Sequence, residues 1–292
     1  MASTRDIRRR IKSVKNTAQI TKAMQMVAAA KMRKAQQAAL VGRPYAQLLN
    51  VMMASAAVGT VGFDHPLMQS RSIQKRAVIV VSSDRGLCGG LNSNIFREAS
   101  KLDKNLTVFI TAGKKAAQFI ARTKRTLAAE FTYKDTPEFA EARAISKFAQ
   151  QLFLKDEVDV VDILYPRFVN TLTQTPQLVP FLPIGKLSPV SAGINAPKEE
   201  LSSHTTAEIF EFEPDEETVL GQLLPHSLNF QMHQILLETK ASEQSARMVA
   251  MKNATDNAKQ IIKDLTLEYN KLRQANITKE LLEITTAQMA IG

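Results

Sequence analysis

The residues that come nearest to chemistry in this chain are those of SSDRGLCGGLN, 82–92. The stretch follows an apolar β-branched run, RAVIVVSS (76–83), and precedes a helical one, which is the setting of a phosphate-cradling loop. Gly86, Gly89 and Gly90 would let the backbone approach a phosphate closely. Their spacing matches neither G-x-G-x-x-G nor a loop ending in G-K-[ST], so nucleotide binding is not expected there. Cys88 could serve as a nucleophile only beside a base. The four histidines, His65, His204, His226 and His233, sit in segments with no catalytic pattern, so Cys88 reads as a small packing residue or an inert thiol. No His, Cys or carboxylate pair has metal-ligand spacing, and neither a metal nor a cofactor is expected.

A second feature is charge. The chain carries a net +10, and residues 1–43 hold eleven Lys and Arg, from Arg5 to Arg43, against Asp6 alone. Such a segment attracts nucleic acid, anionic lipid or an acidic protein surface, and charge by itself does not choose among them. No aromatic residue precedes Tyr45, which removes the stacking groups that usually accompany base recognition. The single cysteine excludes an intrachain disulfide, so a reducing compartment is expected. No apolar run reaches the ~18 residues of a membrane span, and MASTRDIRRR lacks a secretory apolar core, so the chain reads as soluble or peripheral.

The elements that must position these residues are of two kinds. Over 292 residues the apolar share is 45%, yet aromatics make up 6% and there is no Trp, which favours long, closely packed helices over one thick core. From Ala2 to Val41 there is neither Gly nor Pro, and Ile7, Ile11, Val14, Ala18, Thr21, Ala28, Met32, Ala35 and Ala39 recur in alternating steps of four and three, with one full heptad between Thr21 and Ala28. This predicts a heptad-like helix of roughly 60 Å, opened by a capping-box variant at Ser3 and Asp6 and stopped at Gly42-Arg43-Pro44. After Pro225 no Gly or Pro occurs before Gly292, which predicts about 65 residues of helix. Its stripe of Ala258, Ile262, Leu265, Tyr269 and Leu272 continues, after a phase shift, through Ile277, Leu281, Ile284 and Ile291. Two such helices at opposite ends of a chain most simply pair antiparallel.

Between them, RAVIVVSS, LTVFITA (106–112) and VDVVDILY (158–165) read as strands, separated by helical stretches over 94–101, 114–122 and 137–154. Alternating β and α predicts an open α/β sheet of parallel strands. Residues 170–185 read as a strand broken up by its prolines, and 186–205 as a loop. The expected fold is α/β with long helices: an antiparallel coiled coil of the terminal helices (1–58 and 215–292) plus a central Rossmann-like α/β domain (76–212).

Three segments carry a family resemblance. IKSVKNTAQITKAMQMVAAAKMRKAQ (11–36) closely resembles the N-terminal signature of F-type ATP synthase gamma subunits of the bacterial type. SDRGLCGGLN (83–92) is similar to the family's central motif, and SEQSARMVAMKNATDNAKQIIKDLTLEYNKLRQANITKELLEI (242–284) to its C-terminal signature. The resemblance implies a central rotor shaft without catalytic residues, which enters a ring of alternating alpha and beta subunits while its foot rests on the membrane-embedded c-ring. Alpha, beta, epsilon and delta subunits and the c-ring are then the partners, and nucleic acid is not. The chain would meet the membrane only through the complex, as a peripheral subunit on the cytoplasmic face of the cell membrane. The basic face would turn toward acidic loops of the beta subunits. By resemblance, Met24, Arg247, Gln274 and Thr278 form a rotor–stator coupling contact, and Tyr45, Phe210 and Phe212 a foot contact with the c-ring or epsilon. Asp84, Arg85, Gly86, Cys88, Gly89 and Gly90 become a projecting contact loop. Ala18, Gln19 and the tail TTAQMAIG depart from the family pattern, and the Cys-bearing insertion of chloroplast relatives is missing, so thiol control is not expected.

Overall fold

The computed structural model describes residues 3–59, 65–184, 213 and 215–291, and the chain divides into two compact units: 1–27 with 248–292, and 28–247. Two helices contribute to both units, α1 (Thr4–Val41) and α6 (Glu216–Ile291).

In the first unit α1 and α6 run antiparallel. Ile7 is buried and Ile11, Val14, Ala18 and Thr21 half-buried along one face of α1, as the heptad pattern requires. On α6 the matching stripe is Met251, Thr255 and Ala258, all buried, then Ile262, Leu265, Tyr269 and Leu272. The start of α1 is capped by Ser3, whose Oγ accepts from the Arg5 N–H at 3.3 Å. Asp6 does not reach back to complete the box, because its carboxylate takes Arg9 instead. The continuation of the α6 stripe is not paired within the chain. Every described side chain from Arg273 to Met289 is exposed, with Ile277, Leu281 and Ile284 at 49, 59 and 60%. Register explains this: Thr21 meets Thr255 through their hydroxyls, so Thr4 lies opposite about Leu272, and α1 has no residues left to cover the remainder of α6. Ile291 lies outside the described side chains.

The second unit is built on a five-stranded sheet of order β3-β2-β1-β4-β5, formed by β1 (Arg76–Val81), β2 (Thr107–Ala112), β3 (Leu127–Phe131), β4 (Val160–Phe168) and β5 (Gln174–Leu182). Both faces are covered, and for this reason the inner strands read as continuous apolar runs. On one face Ala77, Ile79, Val81, Ile110 and Ile163 pack with Ile145, Ala149 and Phe153 of α5 (Phe139–Leu154), Leu49 of α2 (Arg43–Gly59) and Leu224, Leu228 and Leu236 of α6. On the other, Val78, Val80, Phe109 and Leu164 meet Ile95 and Ala99 of α3 (Leu91–Lys101) and Ala116 and Ile120 of α4 (Lys114–Arg122).

Three expectations change. The sheet is mixed: β1 to β4 are parallel, but β5 is antiparallel to β4 and lies at the edge, where its prolines are tolerated. β3, sequence LAAEF, is a strand that its alanine content concealed, at the opposite edge. Helix α6, which starts at Glu216 within the expected bounds 215–292, runs unbroken through Pro225 and so has 76 residues rather than the about 65 expected after that proline. Asp215 supplies the missing start signal, its carboxylate accepting from the Thr218 N–H at 2.7 Å and the Thr218 hydroxyl at 2.8 Å. The loop expected over 186–205 lies outside the described residues.

Candidate functional site

The central loop connects β1 to α3. Its base is a small polar knot: Ser83 N–H donates to Asn92 Oδ1 at 3.3 Å, and Asn92 Nδ2 donates to Ser83 Oγ at 2.7 Å and Cys88 Sγ at 3.4 Å. Cys88 is free and buried, and its hydrogen-bond partners are Ser83 and Asn92 rather than a histidine, so it is a packing residue. Asp84 accepts from the Lys114 N–H at 3.0 Å, which ties the loop to the first turn of α4. The turn itself is made at Leu87 and Gly89, both with left-handed φ, 63° and 59°. Gly89 is therefore required by conformation, whereas a Cβ at Gly86 would meet nothing. Arg85, Gly86 and Leu87 form the exposed tip, and Leu87 is 63% exposed despite its unfavourable backbone.

Behind the tip stands α6. Arg247 Nη2 donates to the carbonyls of Arg85 at 3.4 Å and Gly86 at 3.3 Å, and pairs with Glu243 Oε1 at 2.7 Å. Glu243 Oε2 is 3.1 Å from Lys240 Nζ, and the Lys240 ammonium lies over the Tyr133 ring, 4.7 Å from its centroid. Tyr133 donates its hydroxyl hydrogen to the Ser82 carbonyl at 3.0 Å. Burial, with Glu243 and Asp84 nearby, pushes this phenol well above its ordinary pKa and keeps it a neutral donor. Asp135 joins the group between Lys31 of α1 and Lys240. The hydrogen bond from Lys31 holds its carboxyl below the usual range. Of this group, sequence reasoning named Arg247 and the loop residues Arg85 and Gly86, and missed Tyr133, Asp135, Lys240 and Glu243. Lys240 and Glu243 sit within a run of twelve consecutive buried residues, Gln234–Ser245, and that burial is not visible in the sequence around them.

The other expected contacts are dispersed. Met24 is half-buried on α1 and, by the Thr21–Thr255 register, faces about Lys252. Gln274 and Thr278 lie roughly 30 Å further along α6, on its exposed stretch, where the Thr278 hydroxyl donates back to the Gln274 carbonyl at 3.0 Å. Arg247 belongs to the other unit. Tyr45 is exposed on α2, its hydroxyl 2.6 Å from His226 Nε2 and its ring 4.8 Å from that of Phe230. Phe210 and Phe212 lie outside the described residues. Arg5, Arg8, Arg9, Arg10, Lys12, Lys15 and Lys22 are all exposed. Among the described residues no group of three or more His, Cys, Asp or Glu is placed to hold a metal ion, and no helix is long and apolar enough to cross a membrane.

Against known proteins, the family described as ATP synthase matches residues 3–291. The ATP synthase gamma chain of Opitutus terrae is 47% identical over 296 residues, covering 99% of each chain, and that of Methylacidiphilum infernorum is 46% identical over the whole of both. The chain belongs to the ATP synthase gamma chain family. It is a gamma subunit of an ATP synthase. The fold agrees: a chain of the Euglena gracilis mitochondrial ATP synthase, solved as an OSCP/F1/c-ring assembly, superposes with a TM-score of 0.68 at 19% identity, covering 99% of this chain and 94% of that one. A chain of the Tetrahymena thermophila mitochondrial ATP synthase central stalk and c-ring gives 0.58 at 25% identity, covering 80% of this chain and 99% of that one.

Proposed function

We propose that this chain is the rotating shaft that couples ion flow through a membrane c-ring to ATP synthesis in an alpha/beta catalytic ring, as a peripheral subunit on the cytoplasmic face of a bacterial membrane, with no catalytic residues of its own. The observation that carries the reading is the end of α6, where Ile277, Leu281 and Ile284 stand exposed on a helix that α1 no longer covers. An isolated helix with exposed apolar side chains needs a surrounding partner, and a ring supplies one.

An asymmetric shaft presents a different face to each beta subunit and so biases each toward a different conformation. Shifting a two-state equilibrium from 1:99 to 99:1 takes ~5.5 kcal/mol of differential interaction, which several weak contacts supply together. The contacts we assign are Met24, Arg247, Gln274 and Thr278 as separate stations toward the catalytic ring, and the loop Asp84–Gly90 as a further one. Tyr45, Phe210 and Phe212 are assigned to the foot, toward the c-ring or epsilon. The exposed cations of α1 favour approach to acidic loops without tight binding, as a sliding contact demands.

The test is reconstitution. The chain is assembled with its alpha, beta, delta and epsilon partners and the membrane sector in sealed vesicles, and a bead on an introduced surface cysteine reports rotation. ATP-driven rotation of the bead, together with ATP synthesis under an imposed proton gradient, is expected. Full coupling with the bead stationary would overturn the reading.

A further inference from the structure

Five charged side chains of alternating sign form a continuous path inside the unit 28–247. Lys31 Nζ lies 2.5 Å from Asp135 Oδ2, and Asp135 Oδ1 lies 3.8 Å from Lys240 Nζ. Lys240 Nζ lies 3.1 Å from Glu243 Oε2, and Glu243 Oε1 lies 2.7 Å from Arg247 Nη2. The path starts on α1, crosses the connection between β3 and α5, runs along α6 and ends on the carbonyls of Arg85 and Gly86. Its two ends are partly wet, but the middle is not: the Lys240 and Glu243 side chains are only 2% and 4% exposed. Charges so deep are kept only where each has its partner, and removing one strands the other.

The central loop is held from this buried pair on both sides. At its start, Ser82 accepts from the Tyr133 hydroxyl, and the Tyr133 ring lies under the Lys240 ammonium. At its tip, Arg85 and Gly86 accept from Arg247, which Glu243 holds in place. Two routes from one ion pair to two points of the same loop fix its orientation and not merely its distance from α6. The tip needs such support, since Leu87 holds a left-handed backbone with its side chain in solvent.

We infer that Lys240 and Glu243 are positioning residues that set the pose of the loop Asp84–Gly90 from helix α6. The inference rests on the proposed role of that loop as a contact with the catalytic ring. A partner that pushes on the tip then pushes, through buried ion pairs that salt screens poorly, on α6 and on α1 at Lys31.

Cys88, the only cysteine of the chain and buried at the base of this loop, is the reporter. Its labelling rate with a disulfide reagent is measured on the isolated full-length chain for the native protein, Glu243→Gln, and the apolar double variant Lys240→Met with Glu243→Leu. Glu243→Gln is expected to lower the melting temperature and to speed labelling at least tenfold. The double variant leaves no stranded buried charge at the pair, so its melting temperature recovers, but Arg247 still lacks its carboxylate and labelling stays fast. Recovery of both together would mean a purely structural role and would overturn the inference, as would native labelling rates in both variants. Should Glu243→Gln fail to fold, the double variant alone decides. The double variant is then assembled into the complex, and proton-driven synthesis is compared with hydrolysis. Fast labelling with reduced coupling supports both readings. Fast labelling with native coupling leaves the positioning role standing and removes the loop from the contacts with the ring.

Discussion

Thr21 and Thr255 meet through their hydroxyl oxygens at 2.7 Å, and this pair fixes the register of α1 against α6. The Thr255 hydroxyl also lies 2.8 Å from the Met251 carbonyl, and that of Thr21 lies 3.1 Å from the Ala18 carbonyl, so the contact is tied into both helices. A hydroxyl pair this close brings the two β-carbons within reach of a disulfide. Thr21→Cys with Thr255→Cys is therefore expected to cross-link under mild oxidation. Thr21→Cys with Ile262→Cys, about 10 Å further along the helix, is not. Equal yields from the two pairs, read on a non-reducing gel, would show the register to be wrong.

Glu238 carries a pH dependence. Its Oε1 accepts from the Phe168 N–H at 3.0 Å, and burial pushes its carboxyl up to about 7, against the lowering effect of that hydrogen bond and of Arg167. A carboxyl raised in the folded state holds its proton there while the unfolded chain has already lost it. The stability of the native chain therefore falls as pH rises from about 4.5 to about 7 and stays reduced above, by about 3 kcal/mol at ~1.4 kcal/mol for each tenfold. Glu238→Gln keeps the acceptor and removes the charge. It should melt higher than the native chain at pH 8 and only slightly higher at pH 5, and a gain of the same size at both would contradict the assignment.

Gly86 in the central loop and Gly113 beside it should behave oppositely. Gly113 has φ of 110°, and a Cβ there would sit 2.2 Å from the Ser82 carbonyl oxygen, a backbone atom that cannot swing away. Gly113→Ala is expected to cost about 3 kcal/mol or more in urea unfolding. Gly86→Ala adds a methyl to open space at an ordinary φ and should stay within ~0.5 kcal/mol of the native chain. A reversal of this order would mean that the loop base is built differently.

Met24 is uncharged on a helix whose neighbours Lys22 and Lys31 are cationic. Where it meets acidic loops of the beta subunits, Met24→Lys adds a charge-assisted bond worth ~1.5–3 kcal/mol and holds one rotational state too firmly. Assembly and ATP hydrolysis should persist while proton-driven synthesis falls, with partial recovery through changes at Arg247, Gln274 or Thr278. Unimpaired synthesis in vesicles carrying Met24→Lys would remove these four positions from the coupling mechanism.

The legible parts of the fold were those where burial imposes a period. Ile7 through Ala39 trace the seam of a helix pair, and Val78 and Ile79 point to opposite, equally covered faces of the sheet, so the strand had to be apolar throughout. Leu127 to Phe131 escaped because an edge strand with two alanines has little to bury. Pro225 read as a boundary because the capping signal at Asp215 is local and the proline rule is general. Ile284 continued a stripe in sequence that in space has no α1 beside it, since periodicity reports which face is apolar and not what covers it. Lys240 was invisible for the opposite reason: a buried lysine looks like any surface lysine until Glu243, Asp135 and Tyr133, up to 107 residues away, are placed around it.

The prolines of β5 have a consequence beyond the sheet they terminate. Pro176 stands opposite Pro166 and Pro180 opposite Asp162, yet the pairing of β4 with β5 runs unbroken from Asp162 to Phe168. The missing N–H groups are then those that would have pointed away from β4. The outer side of β5 is accordingly short of donors at two alternate positions, which makes it a poor template for a strand from another molecule. A chain that displays bare apolar helix at one end while awaiting assembly thus carries a built-in guard against polymerising through its sheet.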